Sequence, residues 1–188
     1  MKRIALIALG VGLLAGTASA QAPNDAITTP VLALPANLRE MASVVKWKPD
    51  QTYDVLKMGT NGLVCYDRSG FPLQAPFSLE CTAMANLPRV AQNMKAEALG
   101  DKMKSEAMLA EMEKNGTRVK PAYGSVWYHL NGPDKAQARA HMTIALPGAT
   151  AQSTGLPDKR INDTMGHATG DKFLVAASIW ALGVTSRI

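Results

Sequence analysis

The sequence predicts an α+β fold, a single domain whose mainly antiparallel sheet packs with one long and one shorter helix. Three observations predict it. Stretches of two-residue alternation recur, a helical apolar stripe occupies the middle of the chain, and Gly, Pro and Asn mark the joins. The 188 residues are 47% hydrophobic and 19% charged, a composition too apolar for a disordered chain.

Residues 1–20 read as a signal peptide. Lys2 and Arg3 precede an uncharged apolar run from Ile4 to Gly16, and Thr17-Ala-Ser-Ala20 ends in a small-x-small cleavage pattern. The run is shorter than the roughly 20 apolar residues of a spanning helix, so the expectation is cleavage with no transmembrane anchor left behind. Removing Lys2 and Arg3 lowers the formal charge from +5 to +3. With basic and acidic residues well mixed, no nucleic-acid footprint is expected. Residues 21–35 carry Pro23, Pro30 and Pro35 and read as an extended, mobile lead-in; residues 36–188 form the domain.

The elements follow in order. Leu38, Met41, Ala42 and Val45 fall at i, i+3, i+4 and i+7, which predicts a helix stopped by Pro49. Tyr53–Met58 and Leu63–Asp67 alternate about Asn61-Gly62, the strongest short hairpin signal, and this predicts a two-stranded hairpin. In it Leu56, Met58, Leu63 and Cys65 share one face, with Lys57 and Tyr66 on the other. The segment RSGFPLQAPFSLE reads as irregular loop. A long helix is predicted from about Leu87 to Asn115, capped by Asn86, carrying an apolar stripe across Gly100 and ended by Gly116. Lys102 and Glu106 can pair on its solvent side. Ser125–Leu130 and Arg139–Leu146 predict strands about an Asn131-Gly-Pro-Asp134 turn, and residues 147–170 read as loop. The apolar run Phe173–Val184 reads as a buried strand, or a strand and its turn.

The two cysteines, Cys65 and Cys81, are an even count in an exported chain, which favours a disulfide between them. Closing a loop of this length stabilises the fold by about 3 kcal/mol in the chain-entropy model. The expected bridge clamps the irregular loop back onto the hairpin.

Candidate functional residues are few. With even register sums in the hairpin 125–146, His129 and His141 share a face with Trp127 and Thr143, opposite Val126, Tyr128, Met142 and Ile144. Two imidazoles on adjacent strands can bind a metal, with His167 or Asp171 completing the site; without HxH, HExxH or Cys/His spacing, half-exposed polar residues are the plainer reading. Met94, Met103, Met108 and Met112 can offer thioethers to Cu(I), yet Met94, Met108 and Met112 lie on the predicted core stripe, where methionine fills gaps. Gly166-His-Ala-Thr-Gly-Asp-Lys172 lacks P-loop spacing and reads as a surface loop in which His167 can meet a ligand. No GxSxG motif marks a nucleophile, and no spacing singles out an acid/base pair among carboxylates such as Asp67, Asp134 and Asp163. Asn115-Gly-Thr117 and Asn162-Asp-Thr164 match glycosylation sequons, which matter only in a eukaryotic secretory pathway.

The stretch Leu56-Lys-Met-Gly-Thr-Asn-Gly-Leu-Val-Cys65, with Cys81 beyond a proline-containing loop, resembles uncharacterised exported bacterial proteins that carry a GTNG-x-x-C hairpin and a second downstream cysteine. Leu34-Pro-Ala36, Pro147-Gly-Ala-Thr150 and Gly155-Leu-Pro157 fit the same likeness. It implies a bacterial periplasmic or secreted location and no catalytic residue. Taken together, the sequence predicts an exported, disulfide-braced binding or envelope-associated domain, non-catalytic and without a cofactor, whose partners and oligomeric state it does not specify. The alternatives are a metal-binding protein or metal-dependent enzyme built on His129, His141 and His167, and a hydrolase of unknown type.

Overall fold

A computed structural model describes residues 24–155, 167–168 and 174–178. One sheet of eight strands organises them, in the spatial order β2-β1-β3-β4-β5-β6-β8-β7. The strands are β1 (Ser43–Trp47), β2 (Tyr53–Lys57), β3 (Leu63–Asp67), β4 (Phe77–Ala83), β5 (Val126–Gly132), β6 (Arg139–Ala145), β7 (His167–Ala168) and β8 (Leu174–Ser178). Every pairing is antiparallel except β1 with β3. The α+β class with a mostly antiparallel sheet is therefore the one the sequence predicts.

The first departure lies at Ser43–Trp47. The periodicity there predicts a helix, but only Ala36–Arg39 (α2) is helical, and Ser43–Trp47 is a strand with Val44 and Val45 buried. The β-branched pair fits a strand buried on both faces, and tertiary context overrides a four-position helical match. This strand also removes the expected hairpin. β1 lies between β2 and β3, pairing Val45 with Val55 on one side and Val44 with Cys65 on the other. The Gly59–Asn61 stretch is thus a crossing over the start of β1. A Cβ on Gly59 would lie 2.2 Å from Met41 O, so only glycine allows the close approach. Thr60 N donates to Met41 O at 2.7 Å, while the Asn61 amide donates to Leu38 O and accepts from Leu63 N, each at 3.0 Å.

The proline-containing segment is likewise not an extended lead-in. It forms α1 (Asn24–Thr28) and a 3-10 turn (Pro30–Ala33), and Val31, Ala33 and Leu34 are buried against Val44, Cys65, Leu79 and Cys81. Pro30 suits the first position of such a turn, where its missing N–H costs nothing.

On the other face lies α3 (Leu87–Glu97), whose Leu87, Val90 and Met94 pack on Val45, Val64 and Tyr66. The single long helix is in fact two. Gly100 adopts φ +65°, and Asp101 accepts from Lys104 N at 3.1 Å to start α4 (Lys102–Lys114). Asn86 precedes α3 but does not cap it: its buried amide donates to Thr82 Oγ1 and Ser125 Oγ and accepts from Ala122 N. The expected Lys102–Glu106 pair forms at 3.8 Å, and Gly116 (φ +75°) follows the end of α4. A short α5 (Ala151–Thr154) is capped by Thr150 within the region read as loop. β8 falls inside the apolar run Phe173–Val184, as expected of a strand there.

Cys65 and Cys81 are disulfide-bonded, with Cα atoms 4.0 Å apart and both residues fully buried. The bridge does not clamp a loop, because Phe77–Ala83 is a strand and the two cysteines are direct cross-strand partners in β3 and β4.

Candidate functional site

Alternation along the strands means that residues directly opposite one another share a face. Across β3, β4, β5 and β6 this builds two adjacent rows on the α3 side of the sheet. One row runs Tyr66, Glu80, His129, His141. In the next, Arg68 N donates to Ser78 O at 2.8 Å, Ser78 faces Asn131, and Asn131 faces Arg139. All of these side chains are polar. Those from β3 and β4, and Arg68 just beyond β3, are buried; His129, Asn131 and His141 are half-buried, and Arg139 is exposed. The array therefore has a sealed floor and a half-open end.

The floor is held by charge. Tyr66 Oη donates to Glu80 Oε2 at 3.0 Å, and Arg68 Nη1 approaches Glu80 Oε1 at 3.5 Å. Arg68 Nη2 also donates to Glu97 at the end of α3, whose Oε2 takes a second bond from Gln74 Nε2 at 2.8 Å. The Arg68 guanidinium lies over the Phe71 ring, 5.1 Å from its centroid. Burial works to raise the Glu80 pKa, but the hydrogen bond and charge of His129, the Arg68 charge and the Tyr66 hydroxyl outweigh it and bring it to about 2. Glu97 goes the other way, burial holding its pKa above the usual carboxylate value despite Arg68 and Gln74. Burial and the Glu80 charge push the Tyr66 hydroxyl well above its ordinary range. One guanidinium thus faces two carboxylates, and His129, with Nδ1 3.6 Å from Glu80 Oε1, is placed to balance the excess negative charge when protonated.

The β5–β6 pairing has an even register sum, so His129 and His141 share a face as that condition requires. His129 and His141 are directly opposite, their rings stacked at 4.4 Å between centroids and 8° between planes. An imidazole binds a metal along a nitrogen lone pair, in the plane of its own ring. Two stacked, near-parallel planes do not converge, so the rings as placed do not ligate a common ion. Among the described residues no group of three His, Cys, Asp or Glu side chains is arranged to hold a metal. His167 lies opposite Ala176 of β8, which lies opposite Thr143 of β6, one row over from the imidazole pair. Trp127 shares that neighbouring row through its partner Thr143, and at 6% exposure it is a core side chain. Asp171 and the rest of Gly166–Lys172 apart from His167 and Ala168 lie outside the described residues, as do Asp163 and Asn162.

The methionines do not form one stripe: Met94 is in the core, Met108 and Met112 are half-buried, and Met103 is exposed. Asp67 and Asp134 are used locally, accepting from Ser69 N at 2.7 Å and Gln137 N at 2.9 Å. Asn115 accepts from Thr117 N at 3.0 Å. Sequence reasoning missed Arg68, Ser78, Glu80 and Glu97, because residues 68–80 read as loop and Glu97 as one charge on a helix. Asn131 and Arg139 were within reach, since they extend the same even-sum register that pairs the histidines.

No family model, curated protein or solved structure matches this chain. The reading of the site therefore rests on its own geometry. Among the described residues no helix is long and apolar enough to cross a membrane.

Proposed function

We propose that this is an exported, non-catalytic binding domain whose ligand face is the half-open end of the polar array on β5 and β6. The observation that carries the reading is the stacked His129–His141 pair, which sits at the open end of a buried charge network. Tyr66, Arg68, Glu80 and Glu97 bond to one another, leaving Arg68 Nε without a hydrogen bond among the described residues, and act as a support holding the imidazoles in place. Strands β5 and β6, not loops, position the two imidazoles, which suits binding of a preformed kind. For export, the support is the buried Cys65–Cys81 disulfide, compatible with an oxidising compartment, together with the signal-peptide pattern of residues 1–20. The likeness of Leu56–Cys65 to exported bacterial proteins points the same way.

The binding reading is tested by a thermal-shift screen of small molecules against the mature chain and its His141→Gln variant, run beside generic ester and phosphate ester substrates. The expected result is a compound class that stabilises the parent and not the variant, with no turnover. Multiple turnover of any substrate that is lost in His129→Ala would replace this reading with a hydrolase. Export is tested separately, by fractionation and N-terminal sequencing: a mature chain beginning at Gln21 outside the cytoplasm is expected, and an intact Met1 chain inside it contradicts the assignment.

A further inference from the structure

Helix α4 packs on α3 along one stripe, where Ser105 is buried and Met108, Leu109 and Met112 are half-buried. Its opposite side is apolar and uncovered. Met103 is 81% exposed, Leu99 just before the helix is 50% exposed, and Ala107, Ala110 and Lys114 are exposed beyond them. At about 100° per residue, Met103, Ala107, Ala110 and Lys114 line a single face opposite the buried stripe. The fold of one chain makes no use of this face, and its apolar side chains are contiguous rather than scattered.

The charges beside the face decide what fits it. Lys104 and Glu111 lie on one flank, both exposed, and neither has an ion-pair partner among the described residues. Seven residues place them about 10 Å apart along the axis, too far to pair with each other. In a second α4 running antiparallel, with the two-fold axis between positions 107 and 108, height is reversed and the flank is kept. Lys104 of each copy then comes level with Glu111 of the other. The same operation brings Met103 of one copy between Ala110 and the Lys114 stem of the other. It also sets the two Ala107 side chains together, small enough for the helices to approach closely. On the second flank Lys102 comes level with Glu113. A parallel pair would instead set Glu111 beside Glu113 of the other copy, carboxylate against carboxylate.

We infer that two copies of this chain associate through α4, the helices antiparallel about a two-fold axis beside Ala107. Met103 and the alanines supply the apolar contact, and the Lys104–Glu111 pairs set its register. One helix pair is a small interface, so the association is weak and depends on concentration. It goes beyond the binding reading, since none of these residues belongs to the polar array.

Sedimentation velocity of the mature chain, followed from micromolar to about millimolar concentration, tests the inference. A monomer–dimer equilibrium is expected. Met103→Glu is expected to hold the chain monomeric throughout. Lys104→Glu and Glu111→Lys are each expected to weaken the dimer roughly tenfold, because like charges then meet at both symmetry-related pairs. Carrying both substitutions together restores opposite charges across the interface and is expected to recover most of the parent affinity. All three positions are exposed, and the melting temperature at low concentration checks that folding is kept. A parent chain that stays monomeric overturns the inference; if that monomer binds anionic phospholipid vesicles and Met103→Glu does not, the face belongs to a lipid surface instead. A dimer indifferent to Met103→Glu, or a double variant no tighter than the single ones, overturns it as well.

Discussion

The two faces of β3 and β4 are built from alternate residues of the same strands, yet they are held by different forces. Toward the N-terminal turns point Leu63, Cys65, Phe77, Leu79 and Cys81, an apolar surface closed by a disulfide. Toward α3 point Tyr66, Ser78 and Glu80, with Arg68 next along, and these are buried as well. Burial is favourable by itself on the first face, at about 25 cal/mol per Å² of apolar area. On the second it is costly, and only well-placed partners offset the desolvation of two carboxylates and a guanidinium. The contrast separates stability from placement. A core needing stability alone would carry apolar side chains on both faces, whereas the charged face fixes the position of the His129 ring.

Removing one partner from the charged face sharpens that contrast most. Glu80→Ala leaves Arg68 buried with one carboxylate fewer, and a loss of about 3–5 kcal/mol is expected in chemical denaturation. Leu79→Ala, on the opposite face of the same strand and fully buried, is expected to cost about 2–5 kcal/mol by lost transfer energy and a cavity. The two losses differ in kind: only Glu80→Ala should also shift the NMR signals of the His129 ring. Equal disturbance of that ring by Leu79→Ala would break the comparison. Next in size, Cys65→Ser with Cys81→Ser is expected to cost about 3 kcal/mol by releasing the loop closure, with the His129–His141 stack retained.

Of the two faces, acid should act on the charged one. The Glu80 pKa lies near 2 in the folded protein, below its unfolded value, so its contribution is present above the unfolded value and is lost as pH falls toward about 2. Glu97, raised by burial, has the opposite sign and offsets part of this, its stabilising effect being present at low pH and lost as pH rises through its folded value. The melting temperature is therefore expected to fall between about pH 4.5 and 2, and to fall less steeply in Glu80→Gln. The smallest effect belongs to a pair on neither face. Lys102→Ala removes the exposed ion pair with Glu106, and a change below about 0.5 kcal/mol is expected.

Much of the β5–β6 half was legible in the sequence, because alternation and an even register sum suffice to put His129, His141, Trp127 and Thr143 on one face, while the exact pairing of His129 with His141 came from the structure. The disulfide was legible from the cysteine count. The β1–β3 half was not. Asn61-Gly62 carries a strong hairpin signal, but the chain between β2 and β3 crosses over the start of β1, a non-local pairing that no local window contains. Once Ser43–Trp47 is read as helix, no strand remains to separate the other two. Residues 68–76 read as loop correctly enough, but Gly and Pro there also hid the strand that begins at Phe77, and with it Ser78 and Glu80. Gly100 was the remaining ambiguity: the apolar phase continues across it, while its positive φ ends α3.

The central claim is that Glu80 is an ionised, buried carboxylate gripped by Tyr66, Arg68 and His129. Site-resolved carbon NMR of the glutamate carboxyl groups, followed from neutral pH to pH 3 on folded protein, measures this directly. The Glu80 signal should remain that of a carboxylate at pH 3, while solvent-exposed glutamates such as Glu106 take up protons. A Glu80 signal that moves together with theirs would mean that the charged floor does not hold the imidazole pair.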